Sequence, residues 1–206
     1  MICATNLLEQ QLQTKGFKRI IGIDEVGYGA IAGPVVVCSV ILKQTFPRSF
    51  MLCDSKILSK VKREIIYTQI QEFLEVFSIG QSTASEINRY GIREATNQAI
   101  VRSIQQLPIQ ADYALIDGTQ APKLDLPFEM IIRGDQSVRS IAAASILAKV
   151  TRDRWMEKMS NQFPLYGFAT HKGYGTKKHL EMVRIHGVCK HHRIHWKCFD
   201  PNVLSC

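Results

Sequence analysis

Ile20-Ile21-Gly22-Ile23-Asp24-Glu25-Val26-Gly27-Tyr28-Gly29 is the most informative stretch of this sequence. Its apolar first half predicts a β-strand, and the alternation of side chains along a strand places Ile21 and Ile23 on one face. The same alternation sends Asp24 and Glu25 to opposite faces. Both acids can therefore serve one site only if the strand ends or is distorted there, and the glycines that follow would permit this.

The adjacent carboxylates favour a metal site at the end of this strand. Buried acids are costly unless a cation or hydrogen bonds compensate them. Mg²⁺ binds carboxylate oxygens and keeps several of its waters, so it suits such a position. Two solvated acids in a turn after the strand are the alternative, and these two residues alone do not decide between them.

The composition is that of a soluble globular protein. The chain has 206 residues, 46% of them hydrophobic, and a mean hydropathy of −0.04, which is enough for one domain with a proper core. The longest apolar stretch, residues 31–42, is interrupted by glycine, proline and serine, and the N-terminus has no secretory pattern. We therefore expect a cytoplasmic monomer that does not enter a membrane, with its six cysteines reduced.

The positive charge is concentrated in the last third of the sequence. The net charge is +8, and residues 139–206 account for all of it, with 12 Lys and Arg against 4 Asp and Glu. All six histidines also fall there. A basic block at one end of a domain is typical of a protein that binds a polyanion, which makes nucleic acid the favoured partner over a merely soluble basic surface.

Strands and helices alternate in the hydrophobic pattern, which predicts an α/β domain. A short connection between the first two strands indicates an antiparallel pair, so we expect a mixed sheet flanked by helices. We predict a single domain over residues 1–206, with an α/β core at 18–161 and a basic helical region, 162–206, packed on it. The predicted strands are 18–26, 34–43, 78–83, 113–117 and 129–133; the predicted helices are 59–77, 84–107 with a break near Gly91, 138–161, and one from Thr176 to Gly187.

Further acids occur where later strands end. Asp117 precedes Gly118, and Asp135 follows Gly134. With Asp24 and Glu25 they could form one cluster at a sheet edge, and such a cluster would repel itself strongly without positive charge. Two Mg²⁺ or Mn²⁺ ions would supply that charge and would suit phosphodiester hydrolysis.

Several motifs together resemble the ribonuclease HII family. The resemblance runs in order from about residue 18 to 200, and the combination is far more specific than any single motif. The matching segments are Gly22 to Gly29 with 32–36 after it, Asp54 to Ser59, 116–118, 134–135, Ile141 to Asp153, 166–168, His171 to Thr176, and His192-Arg193.

The resemblance implies a ribonuclease H-like fold and an endonuclease that cuts RNA in RNA/DNA hybrids. It also implies incision on the 5′ side of single ribonucleotides in duplex DNA, and Mg²⁺ or Mn²⁺ in a two-metal site. By position it assigns Asp24, Glu25, Asp117 and Asp135 as catalytic metal ligands. It assigns the substrate contacts to Gly27, Tyr28 and Gly29 at the ribose 2′-hydroxyl, to Tyr174 at the sugar beside the RNA–DNA junction, and to Lys56 and Arg193.

Two positions depart from the family pattern. Tyr28 replaces the usual Arg or Lys between the two loop glycines, which removes a charge that could pair with phosphate. Gly91 stands where the family commonly has Asn, and this puts one contact to the DNA backbone in doubt. Neither departure changes the four acids.

Three other interpretations of the sequence remain open. A ribonuclease HIII would normally carry an additional N-terminal domain, for which about 17 residues leave no room, and a silent nucleic-acid-binding module would not need four acids. The cysteines and histidines between Cys189 and Cys198 include zinc-ligand types, but their spacing fits no common zinc finger, so a basic segment near phosphate is favoured. We expect Lys172, Lys177, Lys178 and His179 to face phosphate or solvent.

Overall fold

One mixed sheet forms the centre of the molecule. The computed structural model describes residues 4–47, 50, 52 and 58–199. Within that part of the chain, five strands lie in the order β3-β2-β1-β4-β5. The β1–β2 and β2–β3 pairs are antiparallel, whereas β1–β4 and β4–β5 are parallel. The strands are β1 (Ile20–Val26), β2 (Val35–Leu42), β3 (Leu74–Ser82), β4 (Tyr113–Asp117) and β5 (Phe128–Ile131).

Helices cover both faces of this sheet, so the predicted α/β class with a mixed sheet is confirmed. The α-helices are α1 (Leu7–Thr14), α2 (Lys60–Ile70), α3 (Ala84–Tyr90), α4 (Ile92–Gln105), α5 (Gly134–Ser137), α6 (Arg139–Gln162), α7 (Phe168–His171) and α8 (Lys177–His186). On one face, Cys38 and Val40 of β2 pack with the alanines of α6. On the other face, Ile21 and Ile23 pack with Ala95 and Ala99 of α4.

Small residues allow α6 to approach the sheet closely. Residues 142–144 are alanines with almost no exposed surface, and they lie against β1 and β2. Opposite them, Gly22 has no side chain: a Cβ there would lie 2.2 Å from the backbone carbon of Ser140. Because no side chain separates them, the main chain of α6 contacts the main chain of β1 directly. This contact fixes the distance between α6 and the sheet.

The region around β3 corrects one prediction. We expected a helix over 59–77 and a strand over 78–83, but α2 ends at Ile70, a short 3₁₀ turn follows, and β3 begins at Leu74. Residues Ile70, Phe73 and Leu74 continue a helical apolar spacing, yet pairing of Leu74 to Ser82 with β2 forms a hydrogen-bonded edge for the sheet. Long-range pairing therefore overrides the local period. Helix α1 had not been predicted, and Lys56 lies outside the described residues.

The C-terminal segments pack on the outer end of α6. Met156 and Met159 of α6 form a cluster with Phe168 and Val183. The predicted start and end of α8 are found: the Thr176 hydroxyl accepts from the His179 amide, and the helix ends at Gly187. Cys38, Cys189 and Cys198 are free thiols in the described chain. None of its helices has the length and apolar character needed to cross a membrane.

Gly22→Ala is expected to destabilise the fold. The new methyl group would overlap the backbone of α6, and overpacking of this kind costs about 1–3 kcal/mol. For a chain of this size, each kcal/mol lowers the melting temperature by about 2–4 °C. The measurement is a thermal melt followed by circular dichroism. Gly29→Ala is the control, since its Cβ would meet no atom within 4 Å, and equal melting temperatures for the two variants would contradict the close contact.

Candidate active site

The predicted acids come together because β1 and β4 are parallel neighbours. Ile23 pairs with Ile116, so Asp24 and Asp117 are the next residues on two adjacent strands. An oxygen of Asp117 accepts a hydrogen bond from the Gly134 amide at 2.6 Å, which fixes the start of α5 beside it. Asp135 follows in the first turn of α5 and is 2% exposed. We call Asp24, Glu25, Asp117 and Asp135 the acid cluster.

Strand β1 remains regular through the two adjacent acids. Asp24 pairs with Cys38 and Glu25 with Val37, and the strand ends at Val26. Of the two conditions that we expected, a strand that ends at the acids or one that is distorted there, the structure meets the first, since β1 ends one residue after Glu25. The two side chains leave opposite faces. Asp24 is buried on the α6 side, where its carboxylate accepts from the hydroxyl of Ser145 and from the amide of Glu25, the latter at 2.7 Å.

Glu25 instead lines an open cleft at this end of the sheet. The cleft has a volume of about 290 Å³ and also contains Asp117 and Gly118. Tyr28 closes one side, and Arg93 and Asn97 of α4 close another. Two members of the acid cluster thus face a space that a substrate phosphate can enter, beside a cationic side chain.

The acid cluster is under electrostatic stress. Burial raises the pKa of Asp24 well above its ordinary value, and the charges of Glu25, Asp117 and Asp135 raise it further. The hydrogen bond from Ser145 acts in the opposite direction and lowers this pKa. A carboxylate in this position is held ionised when a cation neutralises the cluster.

The donor set fits a hard divalent cation, although its geometry is not that of a finished metal site. Carboxylate oxygens are the ligands of Mg²⁺ and Mn²⁺. Among the described residues, however, no three His, Cys, Asp or Glu side chains are arranged to hold one ion. The metal prediction is therefore supported by the chemistry and repulsion of the acids, and not by ligand distances.

The glycine-bearing loop of residues 27–34 lies next to the acid cluster and rests on Arg152 of α6. The Arg152 guanidinium is fully buried and donates to the carbonyl oxygens of Pro34 at 2.9 Å, Ala32 at 3.2 Å and Lys172 at 2.8 Å. Gly27 has φ +90°, and a Cβ there would lie 2.2 Å from Arg152 Nε. Only glycine fits between this turn and the guanidinium.

Arg193 is a support of the same loop, which corrects its predicted role as a direct substrate contact. It is fully buried and donates to the carbonyl oxygens of Gly33 and Tyr28, both at 3.0 Å. Burial and the charge of Arg152 lower the pKa of Arg193, yet a guanidinium stays protonated in proteins. Its bond to the Tyr28 carbonyl fixes the backbone at Tyr28 and Gly29, which are exposed.

Tyr174 lies on the surface, as a residue that contacts substrate must. Its side chain is 36% exposed, and the Arg152 guanidinium lies 5.5 Å from the centre of its ring. Beside it is a pocket of about 420 Å³ lined by four cationic side chains. In the described part of the chain, these form ion pairs with two acids, so positive charge is in excess. The cations are Lys60, Arg63, Lys149 and Lys172, and the acids are Asp153 and Glu157.

The histidines of the basic region differ from expectation. His179 was expected to face phosphate or solvent, but it is fully buried, whereas Lys177 and Lys178 are exposed. His191 packs on Trp155 and Phe163, so it points away from His192. The residues between Cys189 and Cys198 thus do not converge on one point in the described structure, where no metal-holding group is found.

Ser145 and Arg152 were missed as functional residues, although the sequence contains a signal for them. They are seven residues apart on α6, which places them two turns apart on one helix face. That face meets the acid at Asp24 and the turn at Gly27. Polar residues at this spacing in an alanine-rich helix indicate a face that serves a site.

Comparisons with known proteins agree with this geometry. The family model for ribonuclease HII matches residues 21–199. Ribonuclease HII of Acidovorax sp. (strain JS42) is 45% identical over 190 residues, which cover 92% of this chain and 90% of that protein. Ribonuclease H2 from Pyrococcus horikoshii OT3 matches in structure with a TM-score of 0.76 at 22% identity, covering 91% of this chain and 98% of its own. Bst-RNase HIII in complex with Mn²⁺ has a TM-score of 0.66 at 20% identity, covering 88% and 68%.

Asp24→Asn is expected to raise the melting temperature in metal-free buffer. The pKa of Asp24 is raised in the folded state, so ionised Asp24 lowers the free energy of unfolding at pH values above that pKa. This destabilisation is lost as the pH falls to about 4, the ordinary pKa of aspartate. Relief of about 1 kcal/mol corresponds to about 2–4 °C.

The gain should therefore be larger at about pH 8 than near pH 4, where the acid is neutral in the folded chain and about half protonated in the unfolded chain. Thermal melts at the two pH values measure it. Asp125→Asn, at an exposed position, is the control. A lower melting temperature for Asp24→Asn at the higher pH would show that the acid stabilises the fold.

Proposed function

The chain belongs to the ribonuclease HII family, and we propose that its acid cluster binds two divalent metal ions for phosphodiester hydrolysis. As a member of this family it is an endonuclease that cleaves RNA in RNA/DNA hybrids and at ribonucleotides embedded in DNA. The fold similarity to ribonuclease HIII is at 20% identity and concerns the fold alone. The proposal goes further, to the metal ions, the residues and the position of the cut.

One observation carries the proposal: a buried carboxylate, Asp24, lies within electrostatic reach of three others at the end of two parallel strands. Such an arrangement costs stability, and a catalytic metal site explains why it is present. Bound Mg²⁺ or Mn²⁺ would activate a water and stabilise the leaving oxygen. Ser145 orients Asp24, and the Gly134 amide orients Asp117.

The loop of residues 27–34 supplies the proposed ribose contact. Arg193 holds the carbonyl of Tyr28 at 3.0 Å, and Arg152 fixes the end of the loop at Pro34. The backbone at Gly29 therefore stays in place while its surface remains open. A fixed backbone can test for a 2′-hydroxyl, the group that distinguishes RNA from DNA at one nucleotide.

The basic region supplies the proposed contacts to the duplex. Lys177 and Lys178 are exposed at the start of α8, and the basic pocket lies beside Tyr174. Contacts to phosphate position the duplex without reading its sequence. With Tyr174 against the sugar next to the ribonucleotide, the cut would fall on the 5′ side of that ribonucleotide. We also propose that the enzyme works in the cytoplasm, where RNA/DNA hybrids form, and acts as a monomer.

The direct experiment is cleavage of duplex DNA that carries one ribonucleotide, in the presence of Mg²⁺ or Mn²⁺. The expected product is a single incision 5′ of the ribonucleotide, mapped on a sequencing gel, and no cleavage when EDTA replaces the metal. Incision on the 3′ side, or cleavage that survives EDTA, would contradict the proposal.

Asp24→Asn, Glu25→Gln and Asp117→Asn are each expected to lower single-turnover cleavage by at least about 100-fold. Loss of a residue that only orients a ligand typically costs about 10–100-fold, and these acids would be ligands. Asp135→Asn is expected to lose less, because Asp135 lies on α5 and not on the two strands. Asp125→Asn is the matched control. Near wild-type turnover in any of the first three variants would remove that residue from the metal site.

Tyr174→Ala is expected to reduce cleavage at a lone ribonucleotide more than cleavage of a uniform RNA/DNA hybrid. The ring would pack on the sugar that follows the ribonucleotide, and aromatic stacking with a base is worth about 1–3 kcal/mol. Tyr174→Phe keeps the packing and should be mild. The measurement is single-turnover cleavage of both substrates beside a thermal melt. An unchanged ratio of the two rates would show that Tyr174 does not read the junction.

A further inference from the structure

Backbone hydrogen bonds and histidine side chains hold the loop that carries Tyr174 on its buried side. The Gly173 carbonyl accepts from the amides of Ile31 and Ala32 at 2.9 and 3.1 Å. The Gly173 amide donates to His171 Nδ1 at 3.2 Å. The Tyr174 carbonyl oxygen lies 2.9 Å from His179 Nδ1. The exposed ring of Tyr174 is therefore attached to a main chain that is hydrogen-bonded at Gly173 and at the Tyr174 carbonyl.

The tautomer of His192 follows from its contact with Cys189. The Cys189 amide donates to His192 Nδ1 at 2.8 Å. A backbone amide can only donate, so Nδ1 carries no proton, and a neutral imidazole then carries its proton on Nε2. The Cys189 carbonyl is also 3.3 Å from this nitrogen, but an unprotonated Nδ1 cannot donate to it, and this carbonyl accepts from the His192 amide at 2.9 Å. The shorter contact sets the direction.

The tautomer of His179 follows in turn. His192 Nε2 lies 3.1 Å from His179 Nε2. Since His192 donates there, His179 must accept on Nε2 and carry its own proton on Nδ1. That proton is directed at the Tyr174 carbonyl oxygen. Each donor in this series of hydrogen bonds meets one acceptor. A single arrangement of protons satisfies the contacts from the Cys189 amide to His192, from His192 to His179 and from His179 to the Tyr174 carbonyl.

We propose that His192 and His179 are positioning residues, which form a hydrogen-bond chain of fixed tautomers that sets the place of Tyr174. The inference rests on the proposed role of Tyr174 at the RNA–DNA junction and adds the residues that hold it there. Neither histidine touches substrate. Their effect on cleavage passes through the Tyr174 backbone.

The surroundings of the two rings support this assignment. Both are buried, at 0% and 1% exposure, so water does not compete for their nitrogens. His179 stacks on His171 with ring centres 4.1 Å apart and meets Phe168 edge-on at 5.5 Å. Burial lowers the pKa of both His179 and His192 to about 4. Both rings are then neutral at physiological pH, as the chain of tautomers requires.

Long-range ¹H–¹⁵N correlation spectra of the wild-type enzyme test the chain directly. At neutral pH, the ring nitrogens should show the Nδ1–H form for His179 and the Nε2–H form for His192. This experiment needs no variant and no substrate. An Nε2–H form or a tautomer mixture for His179 would overturn the proposal.

Two substitutions of His179 test its hydrogen bonds to the Tyr174 carbonyl and to His192 separately. His179→Asn places an amide where Nδ1 was, so it retains the donor to the Tyr174 carbonyl. His179→Gln places its amide near Nε2, so it retains the contact with His192 and loses the donor to Tyr174. His186→Asn, an exposed histidine at the other end of α8, is the control.

The readout is the ratio of single-turnover rates on a lone ribonucleotide and on a uniform hybrid. His179→Gln should lower this ratio about tenfold, equivalent to about 1.4 kcal/mol, whereas His179→Asn and His186→Asn should keep it near the wild-type value. A purely structural histidine would lower the melting temperature in both His179 variants without separating their ratios. Equal ratios for His179→Asn and His179→Gln would therefore overturn the positioning role.

Tyr174→Ala in the same assay distinguishes the positioning role of the histidines from the junction role of Tyr174. If Tyr174→Ala lowers the ratio and His179→Gln does not, the positioning proposal is wrong while the junction role of Tyr174 stands. If Tyr174→Ala leaves the ratio unchanged, the junction role fails, and with it the effect proposed for His179 on cleavage. The NMR experiment still decides whether the chain of tautomers exists.

Discussion

Two buried guanidinium groups hold in place the loop of residues 27–34, which is the proposed ribose-binding surface. Arg152 and Arg193 lie close enough to repel each other, and burying two such charges is costly unless hydrogen bonds satisfy them. Five backbone carbonyl oxygens accept hydrogen bonds from them, four in the loop of residues 27–34 and the fifth at Lys172, and only Nη2 of Arg193 is left without a partner in the described part of the chain. Because the carbonyls are turned inward to these donors, the loop takes one conformation beside the acid cluster. Removing either arginine would leave its carbonyl acceptors without their donor.

Helix α6 joins this loop to the chemistry. Its small residues bring it against β1 at Gly22, and two turns of one face then place Ser145 at Asp24 and Arg152 at Gly27. The acid proposed as a metal ligand and the backbone proposed to test the ribose are thus positioned by the same helix. Displacement of α6 would disturb both together, and its first half, from Arg139 to Ala148, is buried and so resists such displacement.

The elements that could be predicted from the sequence are those that local pattern determines. Strand β4 and the bounds of α6 follow from apolar runs with clear ends, and the acids follow from their places at the ends of strands. The start of β3 was misplaced because residues 70–74 satisfy a helical period, and only pairing with β2 makes them a strand. Arg193 was assigned to the surface as a substrate contact by the family resemblance, and His179 because a basic residue in a basic region usually faces solvent. Their burial depends on carbonyls more than a hundred residues away or on another histidine, and no local pattern contains that information.

The distances along the chain between these partners have a consequence for synthesis. Arg193 bonds to residues 160 and 165 positions earlier in the sequence, and Arg152 reaches back 118 and 120 positions. A nascent chain on the ribosome can pair its strands and gather its acids once α6 has emerged, but the loop proposed to recognise a ribose lacks the hydrogen bonds of Arg193 until that residue is translated. The proposed metal site can thus form before the proposed ribose contact is complete.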